Sequence, residues 1–217
     1  MNKEPQDEHN QVRESPQATI HRLQVELEIA KKEIASLKSL STKDTLTKVD
    51  NLRKFNEDLP KKIVEAYRNK GKLVIIMFDI DNFKEINDTY KHGWGDQILI
   101  KLTQTISSIK RDSDTFARTG GEEFFLIFEE PGDADLSNFN MSRYQDAISH
   151  IGRSPDDDAG PLTISIGAVI IDFSTVDPRR GYPGIDPDQV KSVADENMYT
   201  SKKAGKNRLT VSYMQPE

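Results

Sequence analysis

The sequence predicts an α+β domain, a sheet with helices packed on it, preceded by a separate coiled-coil helix. Three observations carry this. A heptad seam runs from Ile20 to Leu37, and a continuous apolar run at 73–78 reads as a strand buried on both faces. Further strand and helix patterns follow without a regular βαβα alternation.

The elements follow in order. Residues 1–16 are almost entirely polar and carry Pro5 and Pro16. Such a stretch buries too little surface to offset its ordering entropy, so it is read as a disordered tail. From Thr19 the pattern changes: Ile20, Leu27 and Ile34 fall at heptad position a, and Leu23, Ala30 and Leu37 at d. Glu26 and Glu33 at g face Lys31 and Lys38 at e, the charge pairing of a parallel dimer, and β-branched a residues favour two strands. Residues 17–42 are therefore expected to be a dimerising stalk; an amphipathic helix packed on its own domain is the alternative. Residues 43–217 form the main domain. A polar helix at about 51–70 ends at Gly71, a natural C′ residue. After the strand at 73–78 come a helical stretch through 98–109, strands at 124–128 and 162–171, and between those two a helix near 140–150. The Pro- and Gly-rich residues 174–187 read as loop. A helix at about 188–204 and a strand at 208–212 close the domain.

Composition narrows the functional classes. Lys plus Arg number 30 against 36 for Asp plus Glu, a net charge of −6, so the basic excess of a general nucleic-acid binder is missing. The chain has no cysteine, which excludes a disulfide scaffold, a thiol nucleophile and a Cys-ligated zinc or Fe–S site. The longest strongly apolar run falls far short of the ~20 residues of a membrane span. Glu4, Asp7 and Glu8 stand where a signal peptide would be basic and then apolar. A cytoplasmic protein with neither nucleic acid nor membrane as partner is expected.

Four groups of residues could carry chemistry. Asp79 and Asp81 lie where the central strand ends, a place suited to Mg²⁺ or Mn²⁺ ligands, though an Asp-x-Asp there also makes a turn or helix cap. Gly120-Gly121-Glu122-Glu123 reads as a hairpin tip, either a plain turn with solvated acids or, with Asp79 on a neighbouring strand, one metal site. Lys202 and Lys206, four residues apart near the end of the last helix, share a face; they grip phosphate or simply complement the helix dipole. The histidines at 9, 21, 92 and 150 show no metal-ligand spacing, and Trp94, between Gly93 and Gly95, is read as a loop residue packed on the sheet.

Taken together these segments resemble the GGDEF-domain diguanylate cyclases. The matching blocks are Asp44-Thr-Leu-Thr47, Phe78-Asp-Ile-Asp-Asn-Phe-Lys-Glu-Ile-Asn-Asp-Thr-Tyr90, His92-Gly-Trp-Gly-Asp96, Ala117-Arg-Thr-Gly-Gly-Glu-Glu-Phe124, Ser165-Ile-Gly167, and Ala194-Asp195 through Met198-Tyr199, Lys202 and Gly205-Lys-Asn207. They keep the family's order and spacing over about residues 43–213. The resemblance implies a palm-like central antiparallel sheet and the condensation of two GTP into cyclic di-GMP, with two facing protomers each holding one GTP. Carried over by position, Asp79, the Ile80 carbonyl and Glu122 hold Mg²⁺ or Mn²⁺, with Glu123 an additional or alternative ligand. Glu122 is also the candidate base for the 3′-hydroxyl, and Lys84 stabilises the transition state. Lys202 and Lys206 grip phosphates, as do backbone N–H groups at Asn82 and Phe83. Asn87, His92 and Asp96 bind the base; the Asp96 carboxylate suits guanine's N1–H and amino group and favours GTP over ATP.

Arg111-Asp112-Ser113-Asp114 stands at the family's RxxD site, so cyclic di-GMP is expected to inhibit through Arg111 and Asp114. The chain departs from the family pattern at Lys48 and Lys91, where glycine is usual, at Leu52, where arginine is usual, and at Lys206, where arginine is frequent. The Lys91 and Lys206 departures are expected to weaken phosphate or base contacts. No sensory domain is expected ahead of the stalk, so input would come from the tail, the stalk or a partner. Two rival readings are a silent cyclic di-GMP or GTP receptor and a coiled-coil scaffold.

Overall fold

The structure, a computed structural model, describes residues 15–40, 42–136, 141–156, 159–177, 179 and 181–216. The tail predicted at 1–16 lies outside the described residues apart from its last two. The chain divides between Ser41 and Thr42 into two units.

The first unit is a single helix, α1 (Pro16–Leu40), of 25 residues. Its seam side chains Ile20, Leu23, Leu27, Ile34 and Leu37 are all at least 52% exposed. Large apolar groups in heptad register leave a stripe that a second helix would cover. Along the helix, Arg22 pairs with Glu26 at 2.8 Å and Lys31 with Glu28 at 2.9 Å.

The second unit contains β1 (Asp50–Asn51), α2 (Leu52–Asn69), β2 (Lys72–Ile80), α3 (Phe83–Tyr90), α4 (His92–Ile109), β3 (Thr115–Gly120), β4 (Glu123–Glu130), α5 (Ser142–Ser149), β5 (Ile164–Asp172), α6 (Pro187–Lys203) and β6 (Leu209–Met214). They build one six-stranded sheet in the order β1-β3-β4-β2-β5-β6. The central four strands are antiparallel, as expected, while both edges, β1 on β3 and β6 on β5, pair in parallel. The sheet is therefore mixed rather than wholly antiparallel.

β2 is buried on both faces, and its side chains divide with the two-residue period of a strand. Val74, Ile76, Phe78 and Ile80 join α3, α4 and α5 in one core, where Phe78 stacks on Phe124 with ring centroids 5.3 Å apart. Leu73, Ile75 and Met77 join α2 and α6 in the other, where Phe55 stacks on Phe125 at 4.3 Å. Continuous apolar sequence thus marks a strand with helices on both sides.

Three local expectations are corrected. The left-handed residue that ends α2 is Lys70 (φ 51°), not Gly71; at Gly71 a Cβ would stand 2.7 Å from the Glu129 side chain and 3.1 Å from the Glu130 carbonyl oxygen, so the position is tightly packed. α4 begins at His92 rather than near 98, so Trp94 lies in its first turn rather than in a loop. The glycine signal there reports close packing: a Cβ on Gly95 would collide with the Asn87 side chain on α3. Trp94 packs against the core, and its indole Nε1–H donates to the Arg153 carbonyl at 2.9 Å.

Candidate active site

Three chain segments meet at one end of the sheet: the end of β2, the β3–β4 hairpin tip, and the turn after α6. Strand register places Asp79 opposite Glu123 on one side and Ser165 on the other. The tip turns through Gly121 at φ 51°, a conformation glycine adopts freely, and Glu122 follows it. Arg118 braces the tip: its Nε and Nη2 donate to the Gly121 carbonyl at 2.9 and 2.7 Å, and its Nη1 to Asp44 Oδ1 at 3.0 Å. Thr47 donates to the same Asp44 oxygen from its backbone N–H at 2.8 Å and its hydroxyl at 2.6 Å. Burial pushes the Asp44 carboxyl up, but these Thr47 bonds and the Arg118 guanidinium outweigh it and leave the pKa lowered.

Nine of the residues singled out in the sequence line one cleft of about 320 Å³: Asp79, Ile80, Asp81, Asn82, Phe83, Lys84, Glu122, Lys202 and Lys206. Asp79 is 4% exposed, and Lys202 Nζ stands 2.8 Å from its Oδ2. Burial pushes the Asp79 carboxyl up to about 6; the Lys202 ammonium works against this, and the charges of Glu122 and Glu123 add to it. Glu123 is raised too, first by burial, with Lys202 opposing and Asp195 and Glu122 adding. Asn82 sits in the left-handed region (φ 59°) and gives α3 no side-chain cap, so the helix's first-turn N–H groups have no acceptor from its own side chain.

Lys206 reaches the cleft by a different route from the one expected. α6 ends at Lys203, and Gly205 (φ 114°) and Lys206 (φ 62°) turn the chain away, so Lys206 does not share a helix face with Lys202. Its Nζ instead donates to Asn82 Oδ1 across the cleft mouth. Asn87, His92 and Asp96 are not among the residues that line the cleft: Asn87 is on α3 and His92 and Asp96 on α4, with His92 and Asp96 exposed.

Among the described residues no three acids or histidines converge as a finished metal cage. The carboxylates whose charges reach one another, Asp79, Glu122 and Glu123, are all oxygen donors, and the two glutamates add to the burial that raises Asp79 while Lys202 opposes it. That fits a hard divalent cation of the Mg²⁺ type, which binds through one or two carboxylates and completes its shell with water and phosphate oxygens.

Arg111 and Asp114 lie at the opposite end of β3, six residues and on the order of 20 Å from the hairpin tip. They line a separate pocket of about 210 Å³ with Phe128, Glu130, Met141, Arg143 and Tyr144. Asp114 is buried and accepts from the Arg111 backbone N–H at 2.7 Å, while Arg111 Nη2 pairs with Glu130 at 3.0 Å. Sequence reasoning missed Arg143, which lies 4.9 Å over the Tyr144 ring in this pocket, and the Asp44–Arg118 brace. An arginine two positions before Gly120 was the only local signal of the brace.

The chain is similar to known proteins over most of its length. The family model described as "Diguanylate cyclase, GGDEF domain" matches residues 41–208. Diguanylate cyclase DosC of Escherichia coli (strain K12) is 32% identical over 167 residues, covering 76% of this chain and 34% of that protein. The chain thus spans about a third of the length of the curated relatives it matches. The crystal structure of the GGDEF domain of DgcB from Caulobacter crescentus, in complex with c-di-GMP, superposes with a TM-score of 0.65 at 29% identity, covering 78% of this chain and 92% of that one. The structure of the coiled coil and GGDEF domain of the same protein reaches 0.65 at 26% identity, covering 92% and 100%. With its six-stranded sheet, its Gly-Gly-Glu-Glu tip beside Asp79 and this match over residues 41–208, the chain belongs to the GGDEF-domain family of diguanylate cyclases.

Proposed function

We propose that this chain is a metal-dependent diguanylate cyclase, condensing two GTP into cyclic di-GMP with release of two pyrophosphates. The observation that carries the reading is the meeting of buried Asp79, Glu122 and three lysines, Lys84, Lys202 and Lys206, at one cleft. Carboxylates and lysines gathered at one cleft, with Lys202 paired to Asp79 at 2.8 Å, suit a nucleoside triphosphate whose α-phosphate is attacked.

Each residue then has a task. Glu122, on its braced tip, accepts the proton of the attacking 3′-hydroxyl. Lys84 offsets charge that develops at the α-phosphate, and Lys202 and Lys206 hold the β- and γ-phosphates with the N–H groups at Asn82 and Phe83. Asn87, His92 and Asp96 hold guanine. Mg²⁺ or Mn²⁺, held by Asp79, the Ile80 carbonyl and Glu122 with Glu123 as a further ligand, would acidify the hydroxyl and neutralise phosphate charge. The reaction joins two GTP head to tail, so two protomers must face each other. α1 would hold them together and raise their effective concentration. Arg111 and Asp114, with Arg143 beside them, form the site where the product feeds back.

The test is incubation of purified protein with GTP and Mg²⁺, identifying the product by mass, with ATP in parallel. Cyclic di-GMP from GTP and nothing from ATP is the expected result. Absence of product at every protein concentration, with cyclic di-GMP still bound, would place the chain among receptors.

A further inference from the structure

The two acids of the Asp-x-Asp pair do different work. Asp79 faces its partners in the cleft; Asp81 turns its carboxylate into the fold and is 3% exposed. The Asp81 backbone N–H donates to the Thr163 carbonyl at 2.9 Å, continuing the β2–β5 ladder one residue past the strand. Its carboxylate accepts from Ser165 Oγ at 2.6 Å, from Thr163 Oγ1 at 2.8 Å and from the Asn207 backbone N–H at 3.0 Å. Both oxygens are engaged, so Asp81 is a junction between the end of β2, the start of β5 and the turn that carries Lys206.

That turn needs holding. Gly205, Lys206 and Asn207 have φ of 114°, 62° and 44°, and two of them carry side chains. For Lys206 and Asn207 that backbone is strained, and it persists only where the surroundings over-determine it. Here the surroundings are Asp81 on Asn207 N–H, the Ser201 carbonyl on Lys206 N–H at 3.1 Å, and Arg208 Nε on the Lys206 carbonyl at 3.1 Å. Turns of this kind present N–H groups to anions. Asp81 already takes that of Asn207, so Lys206 meets the cleft through its side chain.

We propose that Asp81 is a positioning residue for Lys206: its carboxylate pins the Lys206–Asn207 turn to the end of β2 and so fixes where the ammonium group meets a bound phosphate. This rests on the reading of the cleft as a GTP site and adds to it a residue whose carboxylate acts through the turn that carries Lys206.

The test uses the full chain as wild type, Asp81→Asn, Lys206→Ala and the double variant. Affinity is measured by calorimetry for a GTP analogue with a methylene group between the α and β phosphorus atoms, in Mg²⁺, alongside KM and kcat for GTP. An amide cannot accept from all three donors. Asp81→Asn is therefore expected to weaken analogue binding and raise KM about tenfold, with kcat changed less than about threefold. Lys206→Ala should cost about tenfold in the wild-type background but less than about twofold in Asp81→Asn, because the grip is already lost. Equal losses in both backgrounds would mean that Asp81 supports only the fold, overturning the proposal. Wild type that binds the analogue, together with Asp81→Asn that binds it equally well, overturns this proposal alone; wild type that binds none overturns the GTP reading with it. Should Asp81→Asn not fold, Thr163→Val removes one donor and keeps the carboxylate. It should weaken binding about two- to threefold in a protein that circular dichroism shows to be folded, and no weakening would count against the proposal.

Discussion

Lys48 and Lys91 stand where the resembling family has glycine, and both have positive φ, 63° and 71°. The departures are thus backbone events first: each side chain sits in a conformation that glycine adopts without strain. Lys48→Gly and Lys91→Gly are each expected to stabilise the fold by about 0.5–1 kcal/mol, the relief of strain outweighing glycine's extra chain entropy, and thermal denaturation would measure it. The weaker phosphate or base contacts expected from Lys91 have a conformational rival here, which the glycine variant separates. Asp79 gives a pH signature. Held near 6 against an ordinary 3.8, the folded chain binds this proton more tightly than the unfolded one. Stability contributed there falls as pH rises from about 4 to about 6. Asp79→Asn removes that slope and should be more stable than wild type above pH 6 by about 1–3 kcal/mol, the two converging below pH 4. Mg²⁺ should raise the Tm of wild type and leave that of Asp79→Asn unmoved.

At the scale of elements, the β3–β4 hairpin tip is held from outside the hairpin. Arg118 joins Gly121 to Asp44, which lies in the turn just after the division at Ser41/Thr42. Removing the guanidinium frees the peptide beside Glu122. Arg118→Met is accordingly expected to lower kcat at least about tenfold with KM changed little, and a matching rise in KM with kcat intact would contradict the bracing role. This level also shows what sequence could reveal. β2 is legible as a continuous apolar run, the stalk seam as a heptad repeat, and Asp79 as an acid at a strand end. The Asp44–Arg118 and Asp81–Asn207 contacts span 74 and 126 positions and leave no periodic trace. Lys206 was misplaced because i, i+4 spacing means one face only while the helix lasts, and α6 stops at Lys203.

For the whole molecule, the proposed reaction needs two facing clefts and α1 leaves an apolar seam exposed, so activity is expected to depend on association. Deleting residues 1–40 should lower specific activity at nanomolar protein by at least about tenfold, and raising the protein concentration should restore it. Full activity at low concentration, with sedimentation showing monomers, would remove the stalk from the account. Feedback belongs to this scale as well, since Arg111 lies at the other end of the sheet from the cleft. Arg111→Ala should leave the initial rate intact and relieve inhibition by added cyclic di-GMP. The central claim is that chemistry occurs at the Asp79–Glu122 cleft, and its most direct test is the rate of pyrophosphate release from GTP by wild type and Glu122→Gln, with Tm measured in parallel. A fall of at least about a hundredfold at unchanged Tm, with cyclic di-GMP lost from the product, is the predicted result; equal rates would contradict the assignment of the site.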